Sequence, residues 1–253
     1  MSGLSALSDA PFLLLAGIVL FAGLVHGTLG LGFPMVATPL LALSTDVRSA
    51  ILITLLPTVA VNLLSIWRGG NWSQSIARHW PLAVWVAFGG VLGSLLILRV
   101  NPEPFRLLLA AMILFYLWIQ RHRDHPLGLV LGRIRLSYAL FGLLAGFLAG
   151  TVNVMVPVLI VFALEIGLVA NAMVQVFNLC FLTGKATQIA IFATDGILNG
   201  TMVAATLPLA LVAVLALLVG MRIRDHIPAD RFRRWLKALL GAMAGVLIVQ
   251  TFL

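Results

Sequence analysis

The sequence predicts an all-α polytopic membrane protein built from two similar halves, and three observations support this prediction. Hydrophobic residues make up 62% of the 253 residues and charged residues only 9%, far outside the composition of soluble domains. Eight apolar stretches are long enough to matter in a bilayer. A glycine-rich interruption of the first stretch recurs later in the chain at a fixed spacing.

The interruption runs from Gly23 to Pro34 and returns from Gly146 to Pro157, at a constant offset of 123 positions (157 − 34). Glycine loosens a helical backbone, whereas proline disfavours helix in the residue before it and suits the first turn of a new helix. We therefore predict two broken helices. Their unpaired backbone must be buried in protein or line a cavity, and repeated breaks of this kind point to a transporter's binding site.

Four apolar stretches precede a basic linker and four follow it. The eight stretches cover residues 11–43, 47–67, 80–98, 105–119, 138–164, 169–194, 199–221 and 232–253. The linker, residues 120–137, contains four arginines and is typical of a cytoplasmic surface loop. We predict an N-terminal half over residues 1–119 and a C-terminal half over residues 138–253.

The basic residues favour a re-entrant course for both broken segments. If each segment dips into the bilayer and returns on the same side, all loop cations but three fall on one side of the membrane, as the positive-inside rule requires. The three exceptions are Arg48, Arg99 and Arg106. Eight simple crossings give a nine-to-six division at best. Each half then has one re-entrant hairpin plus three spanning helices, so the second half is inverted relative to the first.

Lys185 is the strongest candidate for a functional residue. It lies nine residues before Thr194 in an apolar stretch, about 14 Å along a helix and so near the middle of a bilayer. A charge at that depth costs roughly 2.5 to 3.5 kcal/mol and is functional by default; the alternative is a side chain that reaches toward the interface. Every acidic residue lies at a segment end or in a loop. The expected counter-charge of Lys185 is therefore an anionic substrate.

Neutral polar residues and the broken helices complete the predicted anion site. Asn178 and Gln188 lie on nearby faces of the Lys185 helix, and Asn62 occupies the equivalent of Lys185 in the first half. Helices that restart after the breaks offer free N–H groups and a positive dipole end. The expected substrate-binding residues are Lys185, Asn178, Gln188, Asn62, Thr28, Thr151, Asn153, Gly30, Gly32, Pro34 and Pro157.

Bland explanations exist for several of these residues. An interhelical hydrogen bond accounts equally well for each Asn or Gln, and a backbone cap accounts for Thr28 or Thr151. His26 titrates near neutrality unless burial shifts its pKa and, with Lys185, is a candidate proton relay, although we favour a hydrogen-bonded packing role. Cys180 has no metal-ligand spacing and is expected to be a buried small residue. Glycines four apart within residues 89–93, 142–150 and 241–245 predict close helix contacts.

Taken together, these features resemble the sulfite exporter TauE/SafE family of membrane transporters. The broken first helix with Pro34 and Pro39, its echo at Pro157, and the stretch 175–188 carry the resemblance. The family implies secondary transport, without ATP, of small sulfur-containing or organic anions such as sulfite, sulfonates or thiosulfate across the prokaryotic cytoplasmic membrane. We expect export coupled to protons. An anion-selective channel or uniporter is the alternative.

The second copy of the break departs from the first. Asn153 stands where the first copy has Gly30, and Met155 stands where it has Gly32. The resemblance therefore implies a pocket that is less symmetric than the repeat itself.

A membrane-embedded enzyme is the other class considered, and the sequence offers it no chemistry. It contains no zinc-ligand pair, no pair of carboxylates at membrane depth, no nucleophile elbow and no phosphate-binding loop. The net charge of +8 is explained by loop arginines that set topology, without nucleic acid. Expected partners are a small anionic substrate and the lipid bilayer, with a homo-oligomer left open, and no cofactor or metal is expected.

Overall fold

The computed structural model describes residues 12–70, 72–122, 134–224 and 229–252, and in these residues it contains ten α-helices and no strand. Eight helices are long and apolar enough to cross a membrane, and two are shorter. The prediction of an all-α polytopic membrane protein is confirmed. The helices are α1 (Phe12–Leu29), α2 (Phe33–Ala42), α3 (Val47–Gly69), α4 (Ile76–Arg99), α5 (Pro104–His122), α6 (Ile134–Val152), α7 (Val156–Glu165), α8 (Ala170–Thr194), α9 (Gly200–Arg224) and α10 (Ala229–Phe252).

The helix boundaries follow the spacing found in the sequence. Residues 33 and 42, which bound α2, become 156 and 165 when 123 is added, and these are the bounds of α7. The ends of α1 and α6 and the starts of α3 and α8 are related in the same way. Most of the predicted linker lies outside the described residues, with α5 continuing to His122 and α6 beginning at Ile134.

The second pair of helices, α6 and α7, forms a hairpin. The ring of Phe162, late in α7, lies 5.5 Å from the rings of Tyr138 and Phe141, early in α6. Because only residues 153–155 separate the two helices, this contact is possible only if α7 folds back along α6. The pair therefore begins and ends at one end of the bundle.

We call this the linker end, because α6 starts there after the predicted linker. The hydrogen bond of 2.9 Å between His79 Nδ1 and Tyr138 Oη places the start of α4 at the same end. The end of α3 is also there, since Gln175 near the start of α8 donates to Gly70 O at 3.0 Å. The opposite, or far, end holds the start of α3 and the end of α4, where Arg48 Nε donates to Ile97 O at 2.8 Å.

The first pair, α1 and α2, opens toward the far end. A Cβ on Gly23 of α1 would meet Ala213 of α9, and a Cβ on Gly27 would meet Gly220, so α1 and α9 run parallel. Since α9 follows the far-end turn after α8, α1 also enters from the far end, and α2 returns there before α3. The two hairpins thus open at opposite ends of the bundle. Their orientation in a bilayer, re-entrant and inverted, stays a prediction.

Glycine allows the closest helix contacts, which join the two halves. A Cβ on Gly23 would lie 2.7 Å from Ala216 Cβ of α9. In the matching contact between α6 and α4, a Cβ on Gly146, the equivalent of Gly23, would lie 2.8 Å from Gly90 N. No side chain fits at either distance, so these positions need glycine. Because α1 packs on α9 and α6 on α4, the two halves interlock.

The predicted close contact at residues 241–245 is wrong within this chain. Among the described residues, a Cβ on Gly241 would approach the side chain of Leu117 at 3.6 Å and no other atom, and one on Gly245 would meet nothing within 4 Å. The spacing of glycines alone cannot tell a packed face from one that points away from the bundle. The prediction for Cys180 is confirmed, since it is buried and forms no disulfide.

Candidate functional site

The first break lies between α1 and α2, at residues 30–32, and depends on two glycines in the left-handed region. Gly30 has φ 80° and Gly32 has φ 106°, values that side chains with a Cβ rarely adopt. Phe33 then starts α2, followed by Pro34 in its first turn. The predicted helix break and its restart at proline are therefore both present.

His26 lies beside this break and caps α2. The backbone N–H of Phe33 donates to His26 Nδ1 at 3.3 Å, so the imidazole carries its proton on Nε2, which lies 3.0 Å from Ser65 Oγ. Both ring nitrogens are thus used in hydrogen bonds that hold the break together. This arrangement is the packing role favoured from the sequence, and a relay role for His26 requires one of these bonds to open.

The second break, at residues 153–155, is built differently. Asn153 has φ 60°, close to that of its equivalent Gly30, because asparagine tolerates the left-handed region better than other side chains. Met155, however, has φ −112° where its equivalent Gly32 has a positive φ. Val156 then starts α7, with Pro157 in its first turn. The two breaks share one left-handed residue and differ two positions later, at Gly32 and Met155, where the two sequences also differ.

Asn153 also ties the second break to the first half. Its Nδ2 donates to Thr38 Oγ1 of α2 at 2.7 Å and to Thr54 Oγ1 of α3 at 3.0 Å. All three residues are completely buried. Thr38 and Thr54 were not among the predicted site residues, although a threonine inside an apolar stretch was a signal that could have drawn attention to them.

The two predicted threonines act on the helices that carry them. Thr28 Oγ1 donates to Leu24 O at 2.8 Å, and Thr151 Oγ1 donates to Phe147 O at 2.9 Å. Each bond runs from residue i to i−4 in the last turn before a break. In this structure both hydroxyls therefore serve as backbone caps, the bland alternative considered from the sequence.

Lys185 is buried at the second break, with 2% of its surface exposed. Its Nζ donates to Oε1 of Gln188, one turn later on α8, and Gln188 Nε2 donates to Gly150 O at 3.2 Å. The side chain of Lys185 thus lies beside the last turn of α6, whose final carbonyls form the negative end of a helix dipole. In the described part of the chain, Lys185 has no carboxylate partner.

Asn178 belongs to the first break and not to the Lys185 cluster. Its Nδ2 donates to Gly30 O at 3.1 Å, whereas Gln188 bonds at the second break. Ten residues separate Asn178 from Gln188, which is about 15 Å along α8. The sequence predicts one site that holds Lys185, Asn178 and Gln188, but the structure divides these residues between two breaks at different positions along α8.

Three buried carboxamide oxygens in this region accept no hydrogen bond from the described residues. They are the Oδ1 atoms of Asn62, Asn153 and Asn178. Asn62 Nδ2 is used by Thr58 O, at 2.6 Å, one turn earlier on α3. Buried acceptors without partners are rare and call for an explanation.

Two arginines at the far end have structural roles. Arg48 donates to the carbonyls of Ile97 and Val100, both at 2.8 Å, and so caps α4. Arg106 donates to Thr45 O at 2.8 Å, in the turn between α2 and α3. Within the described ranges, no group of three or more His, Cys, Asp or Glu side chains is placed to hold a metal ion.

Comparison with known proteins gives one family and no individual relative. The model of the family described as Sulfite exporter TauE/SafE matches residues 15–247, nearly the whole chain. No curated protein and no solved structure matches the sequence. The family is one of membrane transporters, in agreement with the eight candidate spans and with the sequence resemblance. The chain therefore belongs to the sulfite exporter TauE/SafE family.

Proposed function

We propose that this protein is a secondary transporter that exports small sulfur-containing or organic anions, of the sulfite, sulfonate or thiosulfate type, across the cytoplasmic membrane of a prokaryote. The observation that carries this function is the buried Lys185, whose side chain contacts the neutral Gln188 and no carboxylate in the described residues. An uncompensated buried charge is expensive. A bound anion supplies the missing counter-charge.

In this proposal the anion binds at the second break, between Lys185 and the start of α7. An ammonium group has three donors, and Gln188 takes one of them. The first N–H groups of α7, from Val156 onward, add donors and the positive end of a helix dipole. Asn153 lies in the same break. The other predicted residues contribute by shaping the break they belong to or by contact with the anion as it passes. At the first break these are Thr28, Gly30, Gly32, Pro34, Asn62 and Asn178, and at the second break they are Thr151 and Pro157.

Proton coupling follows from using a lysine as the anion's partner. Lys185 attracts an anion only while it carries its proton, so the occupancies of anion and proton at this site are linked reciprocally. The absence of a nucleotide-binding motif in the sequence agrees with transport driven by a gradient. His26 is a second proton carrier in this scheme, with Ser65 as its neighbour.

A ligand-stabilisation screen tests the anion site directly. Purified protein is heated in detergent with sulfite, thiosulfate, sulfoacetate, taurine or simple carboxylates, and a binder raises the unfolding temperature in proportion to the logarithm of its concentration. Lys185→Met keeps the length of the side chain and removes its charge. We expect that variant to remain folded and to lose the response to the anion. An unchanged response would refute the role of Lys185.

Flux in proteoliposomes separates a coupled carrier from an anion channel. A channel moves an anion only down its own electrochemical gradient, whereas a carrier accumulates it when a proton gradient is imposed. We expect uphill movement that a protonophore abolishes. Strictly downhill flux would favour the channel.

A further inference from the structure

We propose that the first break binds a monovalent cation, Na⁺, in the place that the Lys185 ammonium holds at the second break. This site lies at the break that the anion is proposed to pass, but it uses none of the contacts of Lys185 and does not depend on anion binding there. The inference rests on the equivalence of the two breaks, on the unpartnered buried oxygens, and on the space beside Gly32.

The two breaks have equivalent residues with different chemistry. At the second break a connected chain runs from Lys185 through Gln188 to Gly150 O. The offset of 123 replaces these residues with Asn62, Ser65 and Gly27 at the first break. Asparagine and serine are shorter than lysine and glutamine, and neither carries a charge. The first break thus lacks the positive charge that the second has built in.

The first break also presents oxygen atoms that need a partner. Asn62 Oδ1 and Asn178 Oδ1 are buried and accept no well-aligned hydrogen bond from the described residues, and the side chain of Asn178 also lies beside the His26 ring. Their orientation is fixed, because each Nδ2 already donates to a backbone carbonyl, of Thr58 and Gly30 respectively. Exchanging O and N in either side chain would set two acceptors against each other. Both residues therefore offer an oxygen.

The two asparagines belong to different helices, and both helices contact the first break or the end of α1 beside it. Asn178 of α8 contacts it directly, through Gly30. Asn62 lies one turn before Ser65 on α3, and Ser65 bonds to His26 in the last turn of α1. The final carbonyls of α1 make that end of the helix negative. Carbonyl oxygens at broken-helix ends are a common way to hold Na⁺ in transporters.

Space and ligand chemistry both suit a small monovalent ion. Gly32 is buried, yet a Cβ built on it would meet no atom of the described residues within 4 Å apart from its chain neighbours, so there is room at this point. The available ligands are neutral oxygens, and none of the eight acidic residues lies in the adjoining helix segments. Divalent cations in proteins usually take carboxylate ligands. Neutral oxygens without a carboxylate therefore favour Na⁺ over Mg²⁺ or Ca²⁺.

The test measures thermal unfolding of the full chain in detergent, with no sulfur anion present. NaCl replaces choline chloride at constant total chloride, so that only the cation changes. We expect the unfolding temperature to rise with Na⁺ and to keep rising with the logarithm of its concentration above the dissociation constant. KCl should have a weaker effect. An equal rise in choline chloride, or no rise in NaCl, would overturn the site in favour of an ordinary buried water.

Four variants test whether Asn62 and Asn178 form the Na⁺ site. Asn62→Leu and Asn178→Leu should lose the response to Na⁺. Asn62→Lys gives the first break the lysine that its equivalent position, Lys185, has at the second break. The side chain then supplies the positive charge, so this variant should be stable in choline chloride and should not be stabilised further by Na⁺. Gln250→Leu is the control, because it removes another carboxamide with an unpartnered oxygen, on α10, and should respond to Na⁺ like the wild type. Retention of the Na⁺ response in both leucine variants would refute the site.

Lys185→Met distinguishes this inference from the anion site. That variant should lose the response to anions and keep the response to Na⁺. If Na⁺ has no effect while anions still stabilise the wild type, the cation site fails and the proposed function stands.

Discussion

Asn153 donates a hydrogen bond of 2.7 Å to Thr38, and this bond joins the break of one hairpin to the middle of the short helix of the other. Its donor sits on a backbone with φ 60°. Asn153 therefore does two jobs, since it tolerates a left-handed backbone and connects the two halves.

Substitution of Asn153 separates these two roles. Asn153→Gly keeps the backbone relaxed and removes the hydrogen bonds, whereas Asn153→Ala removes the same bonds and adds left-handed strain of about 1 kcal/mol. We expect alanine to lower the free energy of unfolding more than glycine does. Thermal or denaturant unfolding in detergent measures the difference. Equal stability of the two variants would mean that the backbone is not held in this conformation.

Anion affinity should fall as pH rises. A protonated Lys185 attracts an anion and a neutral one does not, so affinity is retained at low pH and lost where the lysine gives up its proton. Methanesulfonate is the best probe, because its own charge stays constant, unlike that of sulfite. Calorimetry between about pH 5 and pH 9 covers the range in which a buried lysine titrates. A flat profile, with uptake insensitive to a protonophore, would exclude proton coupling through Lys185.

Replacing glycine by alanine should have opposite effects on the stability of the protein at Gly23 and at Gly245. Gly23→Ala forces a methyl group into the backbone of α9 and should destabilise the protein by about 1 to 3 kcal/mol, as overpacking does. Gly245→Ala meets no neighbouring atom and should be neutral or stabilising by up to about 1 kcal/mol, because alanine favours helix. Unfolding temperatures of the two variants, measured side by side, give the answer. A tolerated Gly23→Ala would show that α1 and α9 are less closely packed than described.

Cysteine labelling tests the orientation of the hairpins in the membrane. Cys180 is buried and is the sole cysteine of the sequence, so single cysteines can be introduced after replacing it with alanine. Cysteines placed at Arg121 and Arg222 should react from the same side of the membrane, and a cysteine at Asn101 from the other. Labelling of the first two from opposite sides would contradict the inverted arrangement.

Local features of the structure could be predicted from the sequence. Glycine followed by proline indicated both helix breaks, because the backbone preferences of these residues act over a few positions. The i, i+3 spacing likewise placed Gln188 beside Lys185. Burial of Cys180 followed from its apolar surroundings.

Relations between distant helices could not be predicted. The bond from Asn153 to Thr38 depends on how one hairpin lies against the other, and no periodicity within either segment contains that distance. Asn178 and Lys185 share a face of α8, yet they meet different breaks because the hairpins enter from opposite ends. The repeat gave the equivalence of the breaks but not the depth at which each would lie.

Because the two halves interlock, the order of synthesis limits when their helix contacts can form. Gly23 packs on Ala216, a residue synthesised about 190 positions later, and translation at about 5 to 20 residues per second takes about 10 to 40 seconds to reach it. Until α9 has been synthesised, the glycine face of α1 lacks its partner and faces lipid or the insertion machinery. The last contact of the first helix therefore forms late in biogenesis, and a chain interrupted before α9 leaves that helix without its partner.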